Sequence, residues 1–230
     1  MNSSKIFSAL ELSAAAYRDV QPNLPGTKLK VIDSKGAGVM CFLRKSGGIL
    51  HISFRGTDSS RDWLTSLSFW KKTIPYGNAL SPIRVHSGFI NAYKTPQIRN
   101  SIHEWVSDDV YRVRLCGHSY GAALAVLCAV DIEYNFPDRE VEVITFGCPR
   151  VGNAAFVRSY DNRVFNTVRV ENGDDIVTRL PPRILGYRHV GALFHIGNDG
   201  ERHGKKSILG LSLEDHSLLS YYESALKRLL

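Results

Sequence analysis

The chain reads YRVRLC-GHSYG-AALAVLCAV from Tyr111 to Val130. The first six residues are typical of a buried strand, and the last nine are small and apolar, as in a buried helix. The pentapeptide between them fits Gly-x-Ser-x-Gly, with Ser119 at its centre. A strand-to-helix turn this tight lifts a serine hydroxyl clear of the sheet, and the flanking Gly117 and Gly121 lack Cβ atoms that would clash there. We therefore predict that Ser119 is a nucleophile.

Patterns on both sides of this turn predict an α/β fold. Strand candidates at residues 28–32, 38–43 and 48–54 are separated by short turns and indicate an antiparallel N-terminal ribbon. Later in the chain, apolar strands predicted at residues 111–116, 141–146 and 164–170 alternate with helical stretches. These helical stretches are predicted at residues 89–106, 119–135 and 152–161. This alternation is typical of a mostly parallel central sheet flanked by helices.

Two further helices are predicted at the ends of the sequence. The first begins at a cap provided by Ser3 or Ser4 and runs to about Arg18. The last runs from about Ser217 to Leu230. Neither a linker nor an internal repeat is visible, so residues 1–230 are predicted to form a single domain.

The composition is that of a globular protein, with 43% hydrophobic and 22% charged residues and a formal net charge of +7. The basic residues are scattered in pairs such as Arg44-Lys45 and Lys71-Lys72, without a nucleic-acid motif or an aromatic platform. We predict a solvated basic surface and no nucleic-acid partner. The positive charge would favour contact with an anionic membrane or a lipid–water interface.

The cysteines indicate in which compartment the protein is located. Their spacing, at Cys41, Cys116, Cys128 and Cys148, matches neither a zinc site nor a disulfide framework. Buried free thiols favour a reducing compartment. The N-terminal twenty residues mix charged and apolar positions and do not resemble an export signal. The predicted location is therefore cytoplasmic, or secreted if a signal has been removed.

A serine nucleophile needs a general base, and on strand-turn-helix scaffolds the acid and then the base follow the serine along the chain. Four histidines satisfy this order: His189, His195, His203 and His216. The first two lie in an alternating run at residues 187–196 and are predicted to be strand residues. His203 lies in a polar run that predicts an exposed loop. His216 precedes the last helix, where a side chain can project into a site, and is the preferred base.

The acid and the oxyanion donors are predicted from strand ends. Asp174 and Asp175 both follow the strand at 164–170, and the residues alone do not separate them. One oxyanion donor should be the backbone N–H of Tyr120, which follows the nucleophile. The second should come from the end of an earlier strand, where Gly56 allows close approach and Thr57 offers an N–H and a hydroxyl.

A short apolar segment follows that earlier strand. Trp63, Leu64, Leu67, Phe69 and Trp70 present more apolar area than a surface turn should expose. Two interpretations stay open. These side chains either pack into the core or form an amphipathic flap that covers the site in water and opens on lipid.

Taken together, six ordered motifs resemble the class 3 lipase family. They are Phe54-Arg-Gly-Thr57, Asp62-Trp63, His86-Ser-Gly-Phe89, Gly117-His-Ser-Tyr-Gly121, Thr145-Phe-Gly-Cys-Pro-Arg-Val-Gly-Asn153, and Asp174-Asp-Ile-Val177 with Pro181-Pro182.

The resemblance implies an α/β-hydrolase fold and assigns the remaining roles. Ser119 matches the nucleophile, Asp175 the acid and His216 the base. Thr57 matches the oxyanion position. The family's lid corresponds to Ser59 through Leu67, which includes Trp63 and Leu64.

The predicted function is that of a serine carboxylester hydrolase, an acylglycerol lipase or esterase resembling triacylglycerol lipases. Its partner is a lipid or small ester substrate, and its chemistry needs no metal or organic cofactor. One alternative is a phospholipase or galactolipase acting at anionic membranes. Another is a non-catalytic lipid-binding module built on the same fold.

Overall fold

The computed structural model describes residues 2–57, 69–74, 78, 80–197 and 211–230. Within them the helices are α1 (Ser3–Ala15), α2 (Ser87–Tyr93), α3 (Pro96–Trp105), α4 (Tyr120–Asn135), α5 (Ala154–Asp161) and α6 (Leu218–Leu229). The strands are β1 (Lys28–Ser34), β2 (Val39–Ser46), β3 (Ile49–Phe54), β4 (Lys71–Thr73), β5 (Arg84–His86), β6 (Arg112–His118), β7 (Glu140–Phe146), β8 (Gly152–Asn153), β9 (Thr167–Asn172), β10 (Tyr187–Arg188) and β11 (Ala192–Ile196).

The main sheet of the described residues has seven strands in the order β1-β2-β3-β6-β7-β9-β11. The β1-β2 and β2-β3 pairs are antiparallel, and the later neighbours are parallel. The predicted mostly parallel sheet with an antiparallel N-terminal ribbon is therefore confirmed. A smaller sheet, β10-β8-β5-β4, is not foreseen by the sequence because its strands have only two or three residues, too few to show alternation.

Helices cover both faces of the main sheet. Neighbouring side chains of a strand point to opposite faces, so Val143 and Ile144 of β7 enter different cores. Val143 packs in the core that contains α4, whose residues from Gly121 to Ala129 are all buried. Ile144 packs in the core formed with α1 and α6. The parallel arrangement brings the carboxyl ends of β3, β6, β7 and β9 to one edge, where sites on such sheets collect.

Three predicted element boundaries are wrong for local reasons. The cap of α1 is Asn2, whose side chain accepts from the Ser4 amide, and not Ser3 or Ser4. Residues 89–106 form two helices, because Pro96 cannot continue a helix from the preceding turn but starts α3 well. Residues 187–196 form two strands in different sheets. Gly191, with φ +67°, redirects the chain between them.

Other sequence-based expectations agree with the structure. The last helix is capped by Ser217, which accepts from the Ser220 amide. Cys41, Cys116, Cys128 and Cys148 are free and buried. Across the described ranges of the chain, no helix combines the length and apolar character that a membrane crossing requires.

Two partly buried histidines make stability depend on pH. Burial lowers the pKa of His51 to about 4, helped by Arg114 and Arg44. Burial lowers the pKa of His189 to about 3, helped by Arg169 and Arg150. Both imidazoles stay neutral in the folded protein, whereas in the unfolded chain they take up a proton below about pH 6.5. The unfolded state then binds more protons, so acid shifts the equilibrium toward it.

We expect the free energy of unfolding to fall as the pH drops from about 6.5 toward 4, by up to about 1.4 kcal/mol per pH unit for each histidine. Urea unfolding between about pH 7 and pH 5 measures this slope. His51→Gln and His189→Gln should each make the slope shallower. A slope unchanged by both substitutions would contradict the argument.

Candidate active site

Ser119 occupies a strained turn between β6 and α4. Its φ is 58° and its ψ is −127°, and among the described residues it is the one non-glycine residue with positive φ. A side chain at Gly117 would come within 2.6 Å of the Gly121 carbonyl carbon. A side chain at Gly121 would collide with the Phe54 carbonyl oxygen at the end of β3. Only glycine fits both positions, so the glycines that the sequence pattern singles out are needed for the turn.

His216 reaches Ser119 from the turn that precedes α6. Its Nε2 lies 2.8 Å from Ser119 Oγ, and its Nδ1 lies 2.8 Å from Asp175 Oδ2. The three residues are almost fully buried, with exposed fractions of 3%, 1% and 1% for His216, Ser119 and Asp175. The structure thus brings together the three residues that the sequence proposed as base, nucleophile and acid.

Asp175 is held at the end of β9 by backbone pairing. The Ile176 amide donates to the Ser212 carbonyl at 3.1 Å, and the Ser212 amide donates to the Asp174 carbonyl at 2.8 Å. This bridge joins the acid's segment to the segment that carries His216. The alternative acid lies in the same turn, but Asp175 is the residue that bonds His216.

The hydrogen bonds around Asp175 define the tautomer of His216. Asp175 Oδ1 accepts from the Val177 amide at 2.8 Å, and Oδ2 accepts from the Tyr221 hydroxyl at 2.7 Å. A carboxylate with these donors is an acceptor, so His216 Nδ1 carries the proton and donates to it. Nε2 is then the free acceptor for the Ser119 hydroxyl. This is the arrangement required for a general base.

Two residues of this network are missed by sequence reasoning. Tyr221 lies on α6, five residues after His216, and nothing in its local pattern signals a contact with Asp175. Gly147, with φ +57°, packs so closely that a Cβ would lie 2.8 Å from the His216 ring and 2.9 Å from Asp175 Oδ2. A side chain at this position would displace the histidine from the acid.

His118 is a third missed residue, although it stands inside the Gly-x-Ser-x-Gly motif. Its Nε2 donates to the His216 carbonyl at 2.7 Å, so its Nδ1 is the acceptor for the Tyr17 hydroxyl at 2.8 Å. The two histidine rings stack with their centroids 4.5 Å apart. Burial, and then the proximity of His216, holds the pKa of His118 well below its ordinary value. A neutral His118 therefore tethers the backbone of His216 without adding charge.

The segments that carry the proposed oxyanion donors adjoin the turn at Ser119. Gly56 packs against the Tyr17 hydroxyl and the His118 carbonyl oxygen, so the end of β3 lies beside the turn. Thr57 Oγ1 is buried and has no hydrogen-bond partner among the described residues. Tyr120 is the first residue of α4 and follows Ser119 directly, so its backbone N–H belongs to the turn that carries the serine.

The other histidines have different neighbours. His189 Nε2 lies 2.8 Å from the Thr178 carbonyl, and His195 Nε2 lies 3.1 Å from the Gly173 carbonyl. His203 lies outside the described residues, as do the predicted lid residues Ser59, Trp63, Leu64 and Leu67. In the described part of the chain, no group of three or more histidine, cysteine or acidic side chains could hold a metal ion.

Comparisons with known proteins agree with this geometry. Residues 51–185 match the family model described as Lipase (class 3). A lipase from Rhizomucor miehei is 34% identical over 155 residues, which is 64% of this chain and 41% of that protein. In the Rhizomucor miehei lipase propeptide complex, 93% of this chain superposes on 78% of the solved chain, with 23% identity and a TM-score of 0.76. The superposition shows the α/β-hydrolase fold, as predicted.

Two further relatives broaden the comparison. The secreted mono- and diacylglycerol lipase LIP4 of Malassezia restricta is 31% identical over 207 residues, 81% of this chain and 68% of that protein. The chloroplastic phospholipase A(1) DAD1 of Arabidopsis thaliana is 34% identical over 154 residues, 60% of this chain and 34% of that protein. The chain thus spans less than half of the Rhizomucor and Arabidopsis proteins. With more than half of its residues matched by the family model, this chain belongs to the class 3 lipase family.

Proposed function

We propose that this chain is a serine carboxylester hydrolase that cleaves lipid esters, an acylglycerol lipase or esterase. One observation carries the proposal: a serine at positive φ, a histidine and a buried aspartate form a chain of two 2.8 Å hydrogen bonds. Residues held in such strained backbone conformations cluster at functional sites. The names of the class 3 relatives support lipid esters as the substrate class.

The proposed reaction has two halves. Ser119 Oγ attacks the ester carbonyl while His216 Nε2 takes the hydroxyl proton and then gives it to the leaving alcohol. Water, deprotonated by His216, attacks the acyl-enzyme, and the acid product leaves as Ser119 recovers its proton. Asp175 orients the imidazole and stabilises its charged form in both halves.

The oxyanion formed in each half needs preorganised donors. We assign this role to the Tyr120 backbone N–H and to Thr57, through its N–H and its hydroxyl. The buried Thr57 Oγ1 has no partner among the described residues, which leaves this hydroxyl available to the reacting oxygen. Donors already buried in place need no reorganisation during the reaction.

Access to the buried serine concerns the predicted lid. Ser119 is 1% exposed, so it presents little surface to an approaching ester. We assign control of access to residues 59–67, which include the apolar Trp63, Leu64 and Leu67. A flap of this composition would open at a lipid–water interface, where its apolar side chains leave water.

A second candidate function is phospholipid hydrolysis. The Arabidopsis relative named as a phospholipase A(1) and the net charge of +7 favour it. Initial rates on a diacylglycerol and on phosphatidylglycerol, presented in the same mixed micelles, separate the two candidates. We expect the faster rate on the diacylglycerol, and a faster rate on phosphatidylglycerol would instead establish the second candidate.

The names of the relatives are a better guide to where the protein is located than its cysteine thiols. LIP4 of Malassezia restricta is named as secreted, against the cytoplasmic prediction for this chain. Burial raises the pKa of Cys41 and of Cys148 to about 12. Protonated, buried thiols resist oxidation, so their presence does not require a reducing compartment. We therefore propose secretion, which predicts the protein in the culture medium of its source cells; its retention in the cell extract would refute this.

Replacing the nucleophile tests the proposed function directly. Ser119→Ala should reduce the hydrolysis of p-nitrophenyl butyrate by about 10⁴-fold or more, because no other group can form the acyl-enzyme. Circular dichroism and thermal unfolding of the variant should match those of the unmodified protein. A folded Ser119→Ala variant that keeps a substantial share of the rate would refute the assignment.

A pair of histidine substitutions tests the choice of base. His216→Ala should cost about 10³-fold or more in kcat, because it removes the proton acceptor. His189→Ala is the matched control, since it deletes a partly buried, neutral histidine that bonds the Thr178 carbonyl. It should cost less than about tenfold in kcat. The reverse ordering of the two variants would overturn the assignment.

A further inference from the structure

A cavity of about 480 Å³ lies on the α5 side of the main sheet, beside β9 and β11. Its walls come from α5, from β9 and from the segment between Asp175 and His189. Six arginines line it: Arg150, Arg158, Arg169, Arg179, Arg183 and Arg188. Among the described residues, Glu171 is the one acidic side chain in the lining. The lining therefore carries a large excess of positive charge.

The floor of this arginine cavity consists of two buried guanidinium groups. Arg169 is 7% exposed and pairs with Glu171. Arg150 is 6% exposed and donates to the Arg179 carbonyl and to the Pro181 carbonyl, the latter at 2.9 Å. These two carbonyl groups hold Arg150 in place. Because they carry no net charge, they do not neutralise the guanidinium group. Burial, and then Arg183 and Arg179, lowers its pKa to about 10, which leaves it charged at neutral pH.

The rim of the cavity adds four more guanidinium groups. Arg188 donates to the Arg183 and Tyr187 carbonyls, at 2.9 Å and 2.8 Å. Arg158, Arg179 and Arg183 are exposed, and the described residues provide no carboxylate that pairs with them. Like charges gathered in one concavity repel each other and focus a positive potential there. An anion of two charges would relieve this repulsion.

We propose that the arginine cavity binds a phosphate group, carried by a soluble phosphomonoester or by a lipid headgroup. The planar fork of arginine matches phosphate oxygens in paired hydrogen bonds. The volume is within the range of small-molecule sites. Buried arginines on the floor and exposed ones on the rim would surround such a group from several sides. Among the described lining residues there is no phenylalanine, tyrosine or tryptophan on which nucleic-acid bases could stack.

The cavity is separate from the triad but shares a segment with it. His189 in the cavity wall contacts the Thr178 carbonyl at 2.8 Å, and the Thr178 hydroxyl donates to the Asp175 carbonyl at 2.8 Å. Ester hydrolysis by itself is therefore a poor readout of the cavity, because the cavity wall and Asp175 belong to the same segment. The test has to measure binding.

The first experiment measures phosphate binding by isothermal titration calorimetry of the full chain, with sodium chloride at equal ionic strength as the reference. Arg179→Gln/Arg183→Gln removes two exposed rim charges. Lys227→Gln/Arg228→Gln is the matched control, because it removes two exposed charges from the end of α6. We expect saturable binding that weakens about tenfold or more in the rim variant and is unchanged in the control.

The second experiment identifies the source of the phosphate group. The same proteins are sedimented with vesicles of ether-linked phosphatidylcholine that contain ether-linked phosphatidic acid, because lipids without a carboxylic ester cannot be cleaved by an esterase. Binding of inorganic phosphate and glycerol 3-phosphate in calorimetry supports a soluble ligand. Sedimentation that depends on Arg179 and Arg183, without binding of soluble phosphate, supports a lipid headgroup.

Two outcomes overturn the proposal. One is the absence of both saturable phosphate binding and vesicle binding in the folded chain. The other is an equal loss of binding in the rim variant and in the control variant, which would show a general effect of net charge. Ester hydrolysis is measured in parallel. Its outcome is independent of the outcome for phosphate binding, because hydrolysis depends on Ser119.

Discussion

The positive φ of Ser119 is the constraint on which the rest of the site depends. That conformation costs on the order of 1–3 kcal/mol for a residue with a side chain, and it persists because the surroundings leave no alternative. The Ser119 amide donates to the Phe146 carbonyl at 3.0 Å, which ties the turn to β7. Gly117 and Gly121 let β6, α4 and the end of β3 meet without collision. The strain of one residue is thus offset by the packing of three strands and a helix.

Asp175 and His216 come to this turn through the opposite face of the sheet. Asn172 at the end of β9 donates to the Asp215 carbonyl and to the Ser220 hydroxyl, at 3.0 Å and 2.8 Å. Tyr221 connects α6 to Asp175, and its ring packs in the core with Phe146. The burial of α6 therefore completes a core and also positions His216. The chemistry of the site is inseparable from the docking of the last helix.

Sequence reasoning predicts what depends on local pattern and misses what depends on distant contacts. Residue spacing and turn-forming residues along the chain predict the turn at Ser119, the antiparallel ribbon and the position of His216. The contacts of His118 with His216 and of Tyr221 with Asp175 join residues 98 and 46 positions apart, so no local pattern reports them. The arginines that line the arginine cavity are a similar case. They look scattered in the sequence and predict a solvated surface, yet the fold gathers six of them around one cavity.

If the strained turn makes the Ser119 hydroxyl a nucleophile, chemical labelling detects this directly. A fluorophosphonate phosphonylates a serine, with loss of fluoride, only where a base activates the serine and donors stabilise the developing charge. The folded protein should be labelled once, and peptide mass spectrometry should locate the adduct on Ser119. Absence of labelling in the folded protein, or an adduct on a different residue, would contradict the account.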